Sequence, residues 1–427
     1  METVTILKQE IGLWFNLFTI RSIMGYIFMA SIPLSYMGVT IGGHLLFYEA
    51  VLIISLMAFF IELATGNLKI KITKLDVVIL IYVFIHLISV CQGWDQLYVA
   101  AREYRWSLLS PLIVYFAYKL YFDNIQQILF SFVFFTLTLL CQLVIIIPAF
   151  LSEGLRPNTP FQILGVPLSL MFALVVIHLL TLKKIIKPYI LKIVAIVLSI
   201  LFLGGMLITM SRSPLIALIV SFFLAVTVFK YRILHKSFLI SLVIFVGVFF
   251  MILTFIPESY LATKGSTVTP EIRKSIKRLY STQFYVQELK GRMFFWKSLY
   301  QYGLKSPIFG RGTGAFQSIQ TFNNPGHAHN ILIHTFLNSG FVGILLFISI
   351  VTMYYSSLFS ISRHFSACHV FFQMSRLYFI IFTILLMVGF TNDFVAVGYL
   401  MFFLFVSAGS QLYSLSQQVN MKKPMIS

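Results

Sequence analysis

Apolar residues in this chain come in long runs separated by short polar connections. About twelve runs are long enough to cross a bilayer, which takes about 20 residues of helix. They centre on residues 14–37, 44–63, 75–91, 107–121, 126–150, 163–182, 189–210, 213–229, 237–257, 329–358, 370–388 and 394–414. No small-residue cleavage site follows the first run, so it is expected to remain as a signal anchor. The pattern predicts an all-α polytopic integral membrane protein. Residues 1–257 hold spans one to nine, 258–328 form a large loop, and 329–427 hold spans ten to twelve and a tail.

Composition narrows the class. The chain is 59% apolar and 10% charged, whereas soluble domains run near a quarter charged. Its 45 Phe and 21 Tyr carry too much apolar surface for a disordered chain. Cys91, Cys141 and Cys368 lie far apart in or beside apolar runs and read as small buried hydrophobes, with no disulfide framework or metal cluster.

The net charge of +18 acquires a meaning once it is mapped on the connections. One set carries fifteen Lys and Arg, among them Lys69, Lys71, Lys74, Lys119, Lys183, Lys230, Arg363 and Lys422; the opposite short connections carry only Arg102, Arg105, Arg156 and Arg212. The richer set is expected in the cytoplasm, with both termini. The charge is thus topological, and no nucleic-acid partner follows from it. The loop over 258–328 differs, with ten basic residues against three glutamates on the outer side. Long loops escape the charge rule, so their charge can reflect function. Thr269-Pro270-Glu271 predicts a helix start, and 292–302 a second helix rich in Phe, Trp and Tyr, both suited to the membrane interface.

Candidate chemistry gathers on the outer side. The aspartates Asp76, Asp95, Asp123 and Asp393 are scattered, so no carboxylate pair to hold a catalytic cation is expected. Gly310-Arg311-Gly312-Thr313-Gly314 reads as a flexible turn rather than a phosphate loop. Asn330, His334 and Asn338 recur at a spacing of four, which puts them on one helical stripe. Lipid excludes such a stripe, so it must face the bundle interior or a wet cavity; an interhelical hydrogen-bond ladder is the competing account. Arg212 in the turn Met210–Pro214 needs an anionic partner or an aqueous outlet, with snorkelling to the interface as the competing account; Arg292 follows Gly291, with a solvated loop charge as its competing account, and together with Arg102, Arg105 and Arg156 the two suggest an anion site. Arginine suits pyrophosphate because its planar fork donates two parallel charge-assisted hydrogen bonds.

The segment His329-Asn330, nine residues, Gly340, two residues, Gly343 resembles the signature of bacterial O-antigen ligases: His, then Asn, Ser or Gln, nine residues, and Gly-x-x-Gly. Ser211-Arg212, Gly291-Arg292 with Trp296, Ser306-Pro307 with the glycine run, and the turn Gly389–Asp393 resemble further elements of that superfamily, in the same order. The resemblance covers the chain from about residue 150. It implies a GT-C-like membrane fold of about twelve spans with a large helical periplasmic loop between spans nine and ten, in the bacterial inner membrane. It implies metal-independent, inverting transfer of a polysaccharide from undecaprenyl pyrophosphate to lipid A–core, with no cofactor. His329 is implied as general base, and Arg212 and Arg292 as donor-binding groups. Asp393, Asn330, Arg156 and His327 are implied in support, and Gly340 and Gly343 in the close approach of another helix. An O-antigen polymerase shares the fold and donor. A lipid-linked sugar flippase is a further alternative, although neither the inverted repeats nor the broken helices of transporters are expected here.

Overall fold

The structure, a computed structural model, describes residues 19–35, 40–41, 45–64, 72–92, 97–153, 166–185, 189–208, 212–229, 282–313, 330–366, 369–391 and 397–421. Its helices are α1 Ile20–Ser35, α2 Phe47–Ala64, α3 Lys74–Gln92, α4 Leu97–Tyr104, α5 Ser110–Tyr121, α6 Ile125–Glu153, α7 Val166–Ile185, α8 Tyr189–Ile208, α9 Arg212–Phe229, α10 Thr282–Gly303, α11 Ile331–His364, α12 Val370–Thr391 and α13 Val397–Met421. A two-residue antiparallel pairing, Thr40–Ile41 with Leu45–Leu46, precedes α2. The ninth predicted span, 237–257, and the helix start at Thr269 lie outside the described residues.

Short polar residues start several of the helices. At α3, the Thr73 amide donates to Asp76 Oδ2 (2.6 Å) and the Asp76 amide to Thr73 Oγ1 (3.3 Å), a reciprocal cap that satisfies two otherwise orphaned donors. By length and composition, six of the helices can cross a membrane: α3, α6, α8, α11, α12 and α13. The chain is a polytopic membrane protein.

Side-chain pairings fix the directions of the helices. Tyr355 meets Thr383 and Phe359 meets Phe379, so α11 and α12 run antiparallel. Tyr82 meets Phe347 and His86 meets Ser339, so α3 and α11 do too. Ser407 bonds the Tyr115 carbonyl and Lys119 reaches Ser410, so α5 and α13 run parallel. One end of the bundle therefore holds Gln92, Asn330 and Phe390; the other holds Lys74, Lys119 and Arg363.

Three expectations are corrected. The fourth span does not begin near residue 107: α4 and a π-helical turn, Arg105–Leu109, carry the helix back to Leu97. The basic run Arg102–Arg105 concealed it, because an apolar window does not register an amphipathic turn. Cys91 and Cys141 are exposed, free thiols, because a membrane helix is apolar on its lipid side as well as its packed side; Cys368 lies outside the described residues. Lastly, α11 is broken. Gly340 takes φ 64 and ψ −158, a region open essentially to glycine alone, although no broken helix was expected.

Candidate functional site

The break in α11 is held by the segment that follows α10. Arg311 donates its backbone N–H to the Leu337 carbonyl (2.6 Å), while the amides of Phe341 and Val342 turn to the carbonyls of Pro307 (2.8 Å) and Ile308 (3.2 Å). The backbone groups that the break frees are thus paired with the loop. Two glycines let the backbones come so close: a Cβ on Gly340 would collide with the Ile308 carbonyl and one on Gly310 with the Asn338–Ser339 peptide. The glycine run expected as a flexible turn is a docked joint through Thr313, with Gly310 and Gly312 both at positive φ. Gly340 admits a loop, not a helix. Gly343 makes room for the Ser339 hydroxyl of its own helix, and that hydroxyl lies 2.9 Å from His86 Nε2.

Helix α10 begins ten residues before the predicted 292–302 and lies against the first half of α11. Phe295, Leu299 and Tyr302 form a small apolar cluster with Ile333 and Leu337, and Tyr300 stacks on Phe336 (5.2 Å). Arg292 is half-buried and precedes Phe295 on the same stripe of α10. Arg311 lies with its guanidinium over the Tyr302 ring (4.7 Å) and donates to the Tyr302 hydroxyl (3.3 Å).

Asn330 caps α11: its Oδ1 accepts the amides of Leu332 (2.9 Å) and Ile333 (3.2 Å), and its Nδ2 donates to the Phe390 carbonyl of α12 (3.1 Å). Its visible part is therefore structural. It fixes the start of α11 against the end of α12.

The polar stripe faces inward as expected, since His334 and Asn338 are buried. His334 Nε2 lies 3.2 Å from Glu103 Oε1 and 3.0 Å from Asn338 Nδ2. Ser89 and Thr313 meet at 2.9 Å beside the His86 carbonyl, which ties the docked loop to α3. Sequence reasoning missed Glu103 altogether. The available signal was one acid in Arg102-Glu103-Tyr104-Arg105, opposite a buried histidine. Arg105 is engaged elsewhere, 3.1 Å from Glu49, which also accepts from Ser110 (2.8 Å). Arg102 lies over the Trp106 ring (4.7 Å).

The remaining candidates are only partly within view. Arg212 is the first residue of α9, and the description stops at its backbone. His327, His329, Arg156 and Asp393 lie outside the described residues. No cluster of three or more His, Cys, Asp or Glu able to hold a metal ion occurs among the described residues.

Comparison with known proteins adds the family. No curated protein matches the chain significantly. The family model described as O-antigen ligase matches residues 197–348, a stretch that takes in α9, α10, the docked joint and the first half of α11. Across that segment the chain is similar to the O-antigen ligase family.

Proposed function

We propose that this protein is an O-antigen ligase, a glycosyltransferase that moves a polysaccharide from undecaprenyl pyrophosphate to a sugar hydroxyl of lipid A–core. The observation that carries the reading is the family match over 197–348, which contains Arg212, Arg292, His329 and the Gly340–Gly343 element together. The site lies on the periplasmic side of the inner membrane, in a chain of twelve spans with both termini in the cytoplasm. In support of that sidedness, Lys74, Lys119 and Arg363 of the lysine-rich connections share one end of the bundle, and cytoplasmic ends are the basic ones.

In this scheme His329 removes the proton of the acceptor hydroxyl, a task suited to imidazole near neutral pH. Arg212 and Arg292 bind the pyrophosphate and stabilise the charge that grows on it as the glycosidic bond breaks. Guanidinium groups take the place of a divalent cation, and the energy is already held in the donor's pyrophosphate linkage. Asp393 orients His329 or pairs an arginine, Asn330 holds the helix start, and Arg156 and His327 lie in support. The break in α11 does not favour a flippase, because its freed backbone groups are paired with the 304–313 segment.

Deletion of the gene tests the reading against a polymerase. Loss of a ligase leaves long polymer on its lipid carrier with none on lipid A–core. Accumulation of single lipid-linked repeat units would show instead that the protein extends the chain.

A further inference from the structure

The joint between α10 and α11 lies deeper than a surface loop would. Its level can be read off two antiparallel helices. On α11, the amides of Phe341 and Val342 bond the carbonyls of Pro307 and Ile308, and Phe341, Leu345 and Ile348 are exposed. On α3, Thr313 meets Ser89 and the His86 carbonyl, and Phe84, Leu87 and Ile88 are exposed. Apolar side chains left open in series along a spanning helix face lipid. At 1.5 Å per residue, Phe341 is roughly 15 Å along α11 from Asn330. The 304–313 segment is therefore level with lipid-facing residues on both helices.

The chain goes in and comes back. Gly303 abuts Phe336 and Leu337, Ile308 reaches Val342, and Arg311 is again at Leu337. The amides of Leu304, Lys305, Ser306 and Gly310 bond within the turn, and that of Arg311 bonds the Leu337 carbonyl. Membrane depth demands such pairing of non-helical backbone. The tip itself is apolar and open: Ile308 is 59% and Phe309 48% exposed, beside Phe341 at 46%. Tyr302 stands on the outer side of this tip. Arg311 lies over its ring and donates to its hydroxyl, and Lys305 Nζ is 5.5 Å from the same ring. Neither cation has a carboxylate partner among the described residues. Two like charges gathered on one phenol beside lipid call for an anion.

We propose that α10 and residues 304–313 form a re-entrant membrane element: its tip, Ile308–Phe309, lies in the acyl layer, and Lys305 and Arg311 at Tyr302 hold the phosphate of an anionic phospholipid. The proposal does not depend on the ligase reading. Tyrosine suits the headgroup level, and the acyl chains run past Ile308, Phe309, Phe341 and Leu345. An anionic lipid fits better than a zwitterionic one, because an amine headgroup would bring a third cation to the ring. Arg292, offered above to the donor pyrophosphate, is about 15 Å back along α10 from Tyr302, so the phospholipid occupies a separate place.

Two measurements on the full-length protein test the two parts. Phe309→Trp in nanodiscs is compared with the wild type, so that the difference fluorescence reports the added indole. Lipids brominated on their acyl chains are expected to quench it, and iodide in the water to leave it unchanged. Quenching by iodide without a response to brominated lipid overturns the re-entrant placement. For the phosphate, native mass spectrometry follows detergent-purified protein titrated with phosphatidylglycerol or phosphatidylcholine. The wild type is expected to retain phosphatidylglycerol preferentially, and the double variant Lys305→Gln, Arg311→Gln to bind it about tenfold or more weakly. Should the double variant fail to fold, Lys305→Gln alone, at an exposed position, is expected to lose about fivefold. Undiminished phosphatidylglycerol binding by a folded variant overturns the phosphate site. So does displacement of phosphatidylglycerol by undecaprenyl diphosphate that requires Lys305 and Arg311, which would give the cluster to the donor.

Discussion

Two buried charge networks sit at opposite ends of the bundle, and they are built differently. At the Lys119 end, Lys119 Nζ lies 2.8 and 2.7 Å from the two oxygens of Asp76 and 3.5 Å from Ser410. The Tyr115 hydroxyl and the Thr73 amide also donate to Asp76. Charges are matched, acceptors are filled, and the helices that supply them, α3, α5 and α13, are continuous. At the Asn330 end, His334 Nε2 bonds Asn338 and lies 3.2 Å from Glu103 Oε1, Asn338 Oδ1 has no partner among the described residues, and the helix beneath is broken. A closed network holds helices together. An incompletely filled one, beside a break that glycine alone permits, keeps hydrogen-bonding capacity for something else.

This contrast can be broken by substitution. The largest effect is expected from His329→Ala, which should abolish attachment of polymer to core while protein remains in the membrane and polymer stays on its carrier; immunoblots of membrane and lipopolysaccharide fractions check it. Lys119→Met should instead cost stability, about 3–5 kcal/mol for a buried pair broken on one side, read as a lower melting temperature in detergent, with transfer per folded molecule unchanged. A catalytic defect in Lys119→Met without loss of stability would erase the distinction between the two ends.

Arg292→Lys should remain about a hundredfold slow, on the order of 3 kcal/mol in the barrier, because a point charge cannot reproduce the bidentate fork. Wild-type transfer by that variant would reduce Arg292 to bulk electrostatics. Gly340→Ala should destabilise by about 1–3 kcal/mol from backbone strain, more if the Ile308 carbonyl cannot retreat, and should slow transfer by loosening the joint between α10 and α11. Thermal melting together with single-turnover rates checks both effects. Asn330→Ala should cost about 1 kcal/mol for the lost cap, the smallest change of the series, and it shows in the same melting curve.

Much of this architecture was legible because lipid enforces it. An apolar run of bilayer length can only be a helix, so the spans at 75–91, 126–150, 189–210, 213–229 and 370–388 fall on α3, α6, α8, α9 and α12 within a few residues. The stripe Asn330, His334, Asn338 was legible for the same reason, since polar side chains at helical spacing in an apolar run must turn inward. What stayed hidden depended on partners distant in the chain. Gly340 and Gly343 look like a helix-packing motif until the 304–313 segment is seen in the gap. Glu103 looks like one charge in a solvated connection until His334, far along the sequence, is found opposite. The turns of α4 escaped because a charged amphipathic segment carries no hydropathy signal.

The central claim is the proposed transfer to core, with arginines and imidazole where other enzymes use a cation. The most direct measurement is transfer by the purified wild-type protein from a defined undecaprenyl-pyrophosphate donor to lipid A–core in the presence of EDTA. The account predicts core-linked polymer at an undiminished rate. Strong inhibition by the chelator, or products that stay on the lipid carrier and grow longer, would contradict it.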